Sequence, residues 1–306
     1  MNFPLEFNIN IYKFENNFLK MNKNELINHY NTYGCNEGLI SCEIKNRECF
    51  INLIPKNVMI LEIGPLCNPV NDVNSPNVHT LDYFTREELI ENYKNDPNVN
   101  IENISNITYV IKNEKYKDKI TCKYDICFSS HNIEHTPCLI NFLNNVSDIL
   151  KDNSYFFLCI PDYRYCFDHF RNPTNIFHIL NSYYNNENKP SKISILENKY
   201  MTSHNYSYEY WNSFESYKRN IFNDINDKNI FFNDRKTIII NEIENIKKIF
   251  EMSNDYIDSH CWTFTPASFR NIIDILYTTN YINLKIERVY KTLKNSNEFY
   301  VILKKE

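Results

Sequence analysis

Two short stretches and a few scattered histidines hold the side chains that could do chemistry. The first stretch, Leu61-Glu62-Ile63-Gly64-Pro65, sets an acid two residues before a glycine, at the end of an apolar run. The chain has only 3 Gly, against roughly 7% in ordinary proteins, and Gly64 is the only one after residue 38. A composition this poor in Gly keeps one where a side chain cannot fit. A strand ending in such a turn lets a ligand's polar groups approach the backbone. Asp82 ends a second apolar run twenty positions after Glu62. Nucleoside-binding α/β folds place there the acid that accepts ribose hydroxyls. A dinucleotide fingerprint would need Gly near 66 and 69, where Leu66 and Pro69 stand instead.

The second stretch, His131-Asn132-Ile133-Glu134-His135, reads H-x-x-E-H. On one helix, histidines at i and i+4 can face one metal, as in zinc peptidases of the inverted motif. That motif needs a long helix on both sides. Here an apolar strand ends directly before His131, so no metal site is expected and a zinc metallopeptidase is the remote alternative.

Elements must position these residues, and hydrophobic spacing predicts them. Residues 1–42 read as a small helical module: Phe14, Phe18 and Leu19, then Leu26, Ile27 and Tyr30, recur at helical spacing. Residues 43–306 read as one α/β domain. A helix over 43–53 leads to strands over 58–63, 78–82, 107–111, 124–130 and 155–160. Helices over 85–95 and 131–150 and a turn over 151–154 separate them. Thr265-Pro266 opens a helix to about residue 279. Strands over 282–290 and 298–303 close the chain. Such alternation predicts a Rossmann-like, doubly wound, mostly parallel sheet of seven strands. Residues 163–255 are too long for a simple connection and read as an inserted cap over the strand ends. The cap would bring His204, Tyr206, Tyr208 and Trp211 toward the site. Tyr206, Tyr208, Tyr210, Trp211 and Trp262 suit stacking on sugar rings.

Composition excludes several classes. With 306 residues, 42% apolar, the chain can bury a sizeable core, and a net charge of -5 advertises no nucleic-acid partner. The 10 Cys form no C-x-x-C pair, which suits reduced thiols and a cytoplasmic location. The N-terminus lacks a signal-peptide pattern, and no apolar run is long enough to span a membrane.

The Glu62–Gly64 turn resembles the first motif of class I S-adenosylmethionine-dependent methyltransferases. Five stretches resemble, in order, a methyltransferase type 11-like group associated with glycan and polysaccharide biosynthesis. They are Leu61–Pro65 with Asn68-Pro69; Leu81-Asp82-Tyr83; Tyr124-Asp125-Ile126 through Ser130 to His135; Ile160-Pro161-Asp162-Tyr163 through His169 to Arg171; and Tyr256-Ile257-Asp258 through His260 to Arg270. The resemblance covers roughly residues 55–305. It departs at Thr108, where an acid near the adenine is usual, and at Asn153-Ser154, where a Gly pair is usual. The run from Tyr12 through Asn24 to Gly38 resembles a segment that often accompanies glycosyltransferase domains, which implies a glycosyltransferase partner; a helical hairpin packed on the catalytic domain is the alternative.

The resemblance implies S-adenosylmethionine as cofactor and O-methylation of a sugar or nucleotide-sugar acceptor. A non-catalytic binding module of the same fold is the alternative. Glu62, Ile63, Gly64, Pro65, Asn68, Asp82, Tyr83, Ser129 and Ser130 would line the cofactor. Methyl transfer to a hydroxyl benefits from a general base. His131 or Asp162 would take the acceptor proton, while His169, Arg171 and His260 would shape the acceptor pocket.

Overall fold

The computed structural model describes residues 1–35, 37–212, 232–251 and 256–306. Its centre is a seven-stranded sheet in the order β3-β2-β1-β4-β5-β7-β6. The strands are β1 (Ile60–Ile63), β2 (Val78–Asp82), β3 (Tyr109–Val110), β4 (Tyr124–Ser130), β5 (Leu150–Pro161), β6 (Leu284–Val289) and β7 (Glu298–Lys305). The first five pair in parallel, and β7 runs antiparallel between β5 and β6. This is the α/β, Rossmann-like, doubly wound, mostly parallel sheet that the spacing predicts.

Alternation along each strand explains why both faces need cover. Leu61, Ile63, Cys127, Phe156, Leu158 and Ile160 face one core with the helices Leu139–Ile149 and Pro266–Thr278. Ile60, Ile126, Phe128, Phe157 and Cys159 face the other, with Phe3, Phe50 and Tyr290. The helix Arg47–Ile51 lays Phe50 on that second face, stacked on Tyr300 at 4.8 Å. Pro266–Thr278 begins as expected, with Thr265 as cap in a reciprocal pair with Ser268. It buries Phe269, Ile272, Ile273 and Leu276. Each such burial stabilises by about 1.5–3 kcal/mol.

Some elements differ from the expectation. The helix expected from residue 131 starts at Leu139. His131 takes φ 47°, in the left-handed region, and Pro137 disfavours helical backbone at Thr136. A single 3-10 turn, Ile133–His135, lies between. The turn expected at 151–154 belongs to β5, with Asn153 left-handed at φ 61°. The register with β4 shifts between Tyr124 and Ile126, which absorbs the extra residues as a bulge.

Candidate active site

The chain leaves β1 to one side for β2 and β3, then crosses to the other side for β4 and β5. The order reverses between β1 and β4, and the carboxyl ends of strands beside such a reversal open a crevice for ligands. Ser129 and Ser130 close β4, and Gly64, His131 and Asn132 follow the two ends.

The β1 turn is held from several directions. Gly64 sits at φ 69° and donates its N–H to the Leu81 carbonyl at 2.9 Å. A Cβ there would come within 2.7 Å of Asn132 Oδ1. Asn132 Nδ2 donates to Ser129 Oγ at 3.2 Å, and Ser129 Oγ donates to the Ile63 carbonyl at 3.1 Å. Both Glu62 oxygens are engaged by the next loop: Val70 N at 2.7 Å, Asn71 N at 2.9 Å and Asn71 Nδ2 at 2.8 Å. Burial pushes the Glu62 carboxyl up, and these donors partly offset it. Glu62 therefore fixes the loop that rims the crevice. Ile63 is core, Pro65 is buried, and Asn68 is exposed.

Asp82 ends β2. Phe84 N donates to it at 3.1 Å, and no side-chain donor reaches it among the described residues. Burial pushes its carboxyl up to about 6. Tyr83 stacks on Tyr256 with ring centroids 4.7 Å apart, so the segment leading to the final helix covers this end of β2. The Thr108 hydroxyl accepts from Thr80 N at 3.1 Å, and Thr108 N donates to Thr80 Oγ1 at 2.9 Å. Thr108 thus binds β3 to β2.

A second group of side chains roofs the other half. Asp168 joins His260 Nδ1 at 2.5 Å and Arg171 Nη1 at 3.0 Å, all three buried. Burial alone would raise the Asp168 carboxyl, but the His260 and Arg171 charges outweigh it and hold it low. Asp258 joins His135 Nδ1 at 2.9 Å. Burial by itself would lower the His135 imidazole; the Asp258 bond and charge carry it up to about 9. Glu134 lies beneath, fully buried, and its backbone carbonyl accepts from Cys261 N at 2.6 Å.

His131 belongs to neither group. Its Nε2 meets Glu298 Oε2 at 2.9 Å, and its side chain is 38% exposed. Arg47 Nη1 meets the same oxygen at 2.5 Å, and Arg47 Nη2 donates to Ser130 Oγ at 2.6 Å. Burial would raise the Glu298 carboxyl, but the His131 bond and charge and the Arg47 charge hold it below its ordinary value.

Two expected site residues, the base candidate Asp162 and the pocket residue His169, are committed elsewhere. Asp162 is fully buried and takes Arg164 Nε at 2.9 Å, Arg164 Nη2 at 2.6 Å and Thr292 Oγ1 at 2.5 Å. Its oxygens are saturated, so it holds the β5 end rather than accepting a proton. His169 stacks on Tyr210 at 4.5 Å, and its Nδ1 meets the Arg164 carbonyl at 2.6 Å. Tyr210 stacks in turn on His204 at 4.5 Å. Trp211 stacks on Tyr165 at 3.9 Å and donates to the Ser296 carbonyl. Trp262 is buried and donates to the Thr136 carbonyl. Both indoles are thus packing groups, while Tyr206 and Tyr208 stay 64% exposed. The inverted zinc-peptidase reading fails geometrically, because His131 and His135 share no α-helix. Asn132, Glu134, Asp258, Glu298 and Arg47 were not singled out by sequence. The first three lie inside the quoted motifs; Arg47 and Glu298 carry no local signal.

Neither a family model nor a curated protein matches the sequence. Solved structures align with the chain at low identity. The CcbJ methyltransferase from Streptomyces caelestis aligns over 84% of this chain and 86% of its own, at 10% identity and TM-score 0.39. The trans-methyltransferase CalH in complex with SAH aligns over 94% of this chain but only 61% of its own, at 12% identity and TM-score 0.37. A SAM-dependent methyltransferase from Methanosarcina mazei aligns over 83% and 95%, at 12% identity and TM-score 0.33. These neighbours are methyltransferases; the sheet order itself establishes the fold. Among the described residues no helix is long and apolar enough to cross a membrane.

Proposed function

We propose that the chain is an S-adenosylmethionine-dependent methyltransferase acting on a hydroxyl of a sugar or nucleotide sugar. The observation that supports the cofactor half is the crevice at the β1/β4 reversal. It has a left-handed Gly64 turn on its floor and Asp82, with no side-chain donor among the described residues, at the neighbouring strand end. These residues fit the group: a carboxylate suits a ribose diol, and a Gly-turn suits close approach of a polar methionine end. Tyr83 and Ser129 to Asn132 would flank it. Bound S-adenosylmethionine would supply the methyl group as a sulfonium.

The chain's own part is positioning and proton removal. His131 is the base in this reading. Glu298 holds Nε2 and stabilises the imidazolium that forms, which leaves Nδ1 to take the acceptor proton. Glu62 acts indirectly, by holding the 70–71 loop at the crevice rim. In this reading the region 163–255, of which 213–231 and 252–255 lie outside the described residues, caps the strand ends, with Tyr206 and Tyr208 available to stack on a sugar. The cap would also exclude water from the site. The acceptor class rests on the resemblance to a glycan-associated group, and the N-terminal segment favours a glycosyltransferase as partner.

Incubation with S-adenosylmethionine and a panel of sugars and nucleotide sugars, read by mass spectrometry and by release of the demethylated cofactor, tests the assignment. Methylated product formed by wild type and lost in His131→Ala is the expected result. Cofactor binding without turnover on any acceptor would favour the non-catalytic module.

A further inference from the structure

Glu134 presents an anomaly. It is 0% exposed, and neither carboxylate oxygen has a hydrogen-bond partner among the described residues. Leaving a carboxylate dry and unpartnered is costly unless a cation neutralises it. The imidazole nitrogens beside it, His260 Nε2 at 3.9 Å and His131 Nδ1 at 4.0 Å, are both beyond hydrogen-bond reach.

The histidines beside it are set up in a particular way. Asp168 engages His260 through Nδ1, and Asp258 engages His135 through Nδ1. Each imidazole therefore has one nitrogen fixed by a carboxylate and the other left over. Metal-binding histidines use this arrangement: the carboxylate orients the ring and makes the outer nitrogen more basic. One ligand atom each from Glu134, His135 and His260 lies within 4.8 Å of the others. Bonds of about 2.0–2.2 Å at tetrahedral angles put donors roughly 3.4 Å apart. The Glu134–His260 distance of 3.9 Å is close to that, and small side-chain rotations would close the rest.

Glu134, Asp168 and Asp258 make the surroundings electronegative, and an ion's charge would take the place of the protons that ligation displaces from the site. His135 is only partly buried and leaves an approach for an ion.

The geometry points to a site for one divalent transition-metal ion, held by Glu134, His135 and His260. Two imidazoles and one carboxylate suit ions of the Mn²⁺-to-Zn²⁺ series, and three protein ligands leave a coordination position open. Glu134 adjoins His131, so an ion there could bind an acceptor oxygen beside the base. That role rests on the methyl-transfer reading; the metal site does not.

Full-length protein, stripped with chelator and dialysed against Zn²⁺ or Co²⁺ without cofactor, tests it. Wild type should retain about one equivalent, show a Co²⁺ ligand-field spectrum, and melt at higher temperature with metal than without. Glu134→Gln and His260→Ala should each lose the spectrum and the metal-dependent melting shift. His178→Ala, an exposed helix cap, should keep both. Folded wild type with no bound ion, or Glu134→Gln with an unchanged spectrum and stoichiometry, would overturn the site. Because S-adenosylmethionine binding is measured separately, a failure here is distinguishable from a failure of the methyltransferase reading.

Discussion

The two halves of the crevice are built by opposite means. At the β1 and β2 ends the backbone does the shaping: a left-handed turn, a loop pinned by one carboxylate, and a single acid with no side-chain donor among the described residues. Over β4 and β5 the shaping falls to charged side chains from distant segments, locked in pairs such as Asp168–Arg171, Asp168–His260 and Asp258–His135. The first arrangement leaves a carboxylate to meet a ligand. The second spends its charges on itself, so its rigidity depends on each pair staying intact. Damage to the roof should register as lost stability, and damage to the β2 end as lost affinity.

The largest effect should come from the roof. Arg171→Ala removes a buried guanidinium from Asp168, and breaking a buried pair costs about 3–5 kcal/mol. For a domain of this size that lowers Tm by roughly 10 °C. Calorimetry should show it while cofactor affinity in the folded fraction barely moves. An unchanged Tm would mean the roof is not held by its ion pairs.

Next comes the bridge between the halves. His131→Ala should lower kcat by about 10²-fold or more, with cofactor Kd near wild type. Glu298→Gln should lower it less, since it leaves the ring in place without its carboxylate. Full turnover in both variants would remove His131 from the chemistry.

At the β2 end the prediction is a pH dependence. Burial raises the Asp82 carboxyl to about 6, so in the free protein it protonates as pH falls through about 6. Ribose hydroxyls donate to the ionised form, so affinity should rise as pH climbs through about 6. At pH 5 only about a tenth of the carboxyl is ionised, and affinity should fall close to tenfold. Asp82→Asn should flatten the profile. The smallest effect belongs to Tyr256→Ala, which removes the stack on Tyr83. A contact worth about 0.5–1.5 kcal/mol should speed cofactor dissociation several-fold in stopped flow. No change would show that this lid does not cover the cofactor.

The same contrast explains what was legible in the sequence. The sheet was, because buried parallel strands are continuous apolar runs and helix starts carry local caps such as Thr265-Pro266. Gly64 and Asp82 were, because each sits at the end of a run. The helix over 131–150 was read too long, because His131's left-handed backbone and the Pro137 break interrupt a spacing that otherwise looks helical. Asp162 looked like a base because its type and position suit one; that Arg164 and Thr292 saturate it is a tertiary fact. His131 could be found, but its orienting partner Glu298 lies at the far end of the chain. Only the antiparallel insertion of β7 beside β5 brings Glu298 to the carboxyl end of β4.

Isothermal titration of wild type and Asp82→Ala with S-adenosylmethionine and with its demethylated product tests the account most directly. The account predicts micromolar-class binding to wild type and a loss of about tenfold or more in the variant, with Tm unchanged within about 2 °C. No heat with either ligand, or equal affinity in the two proteins, would contradict it.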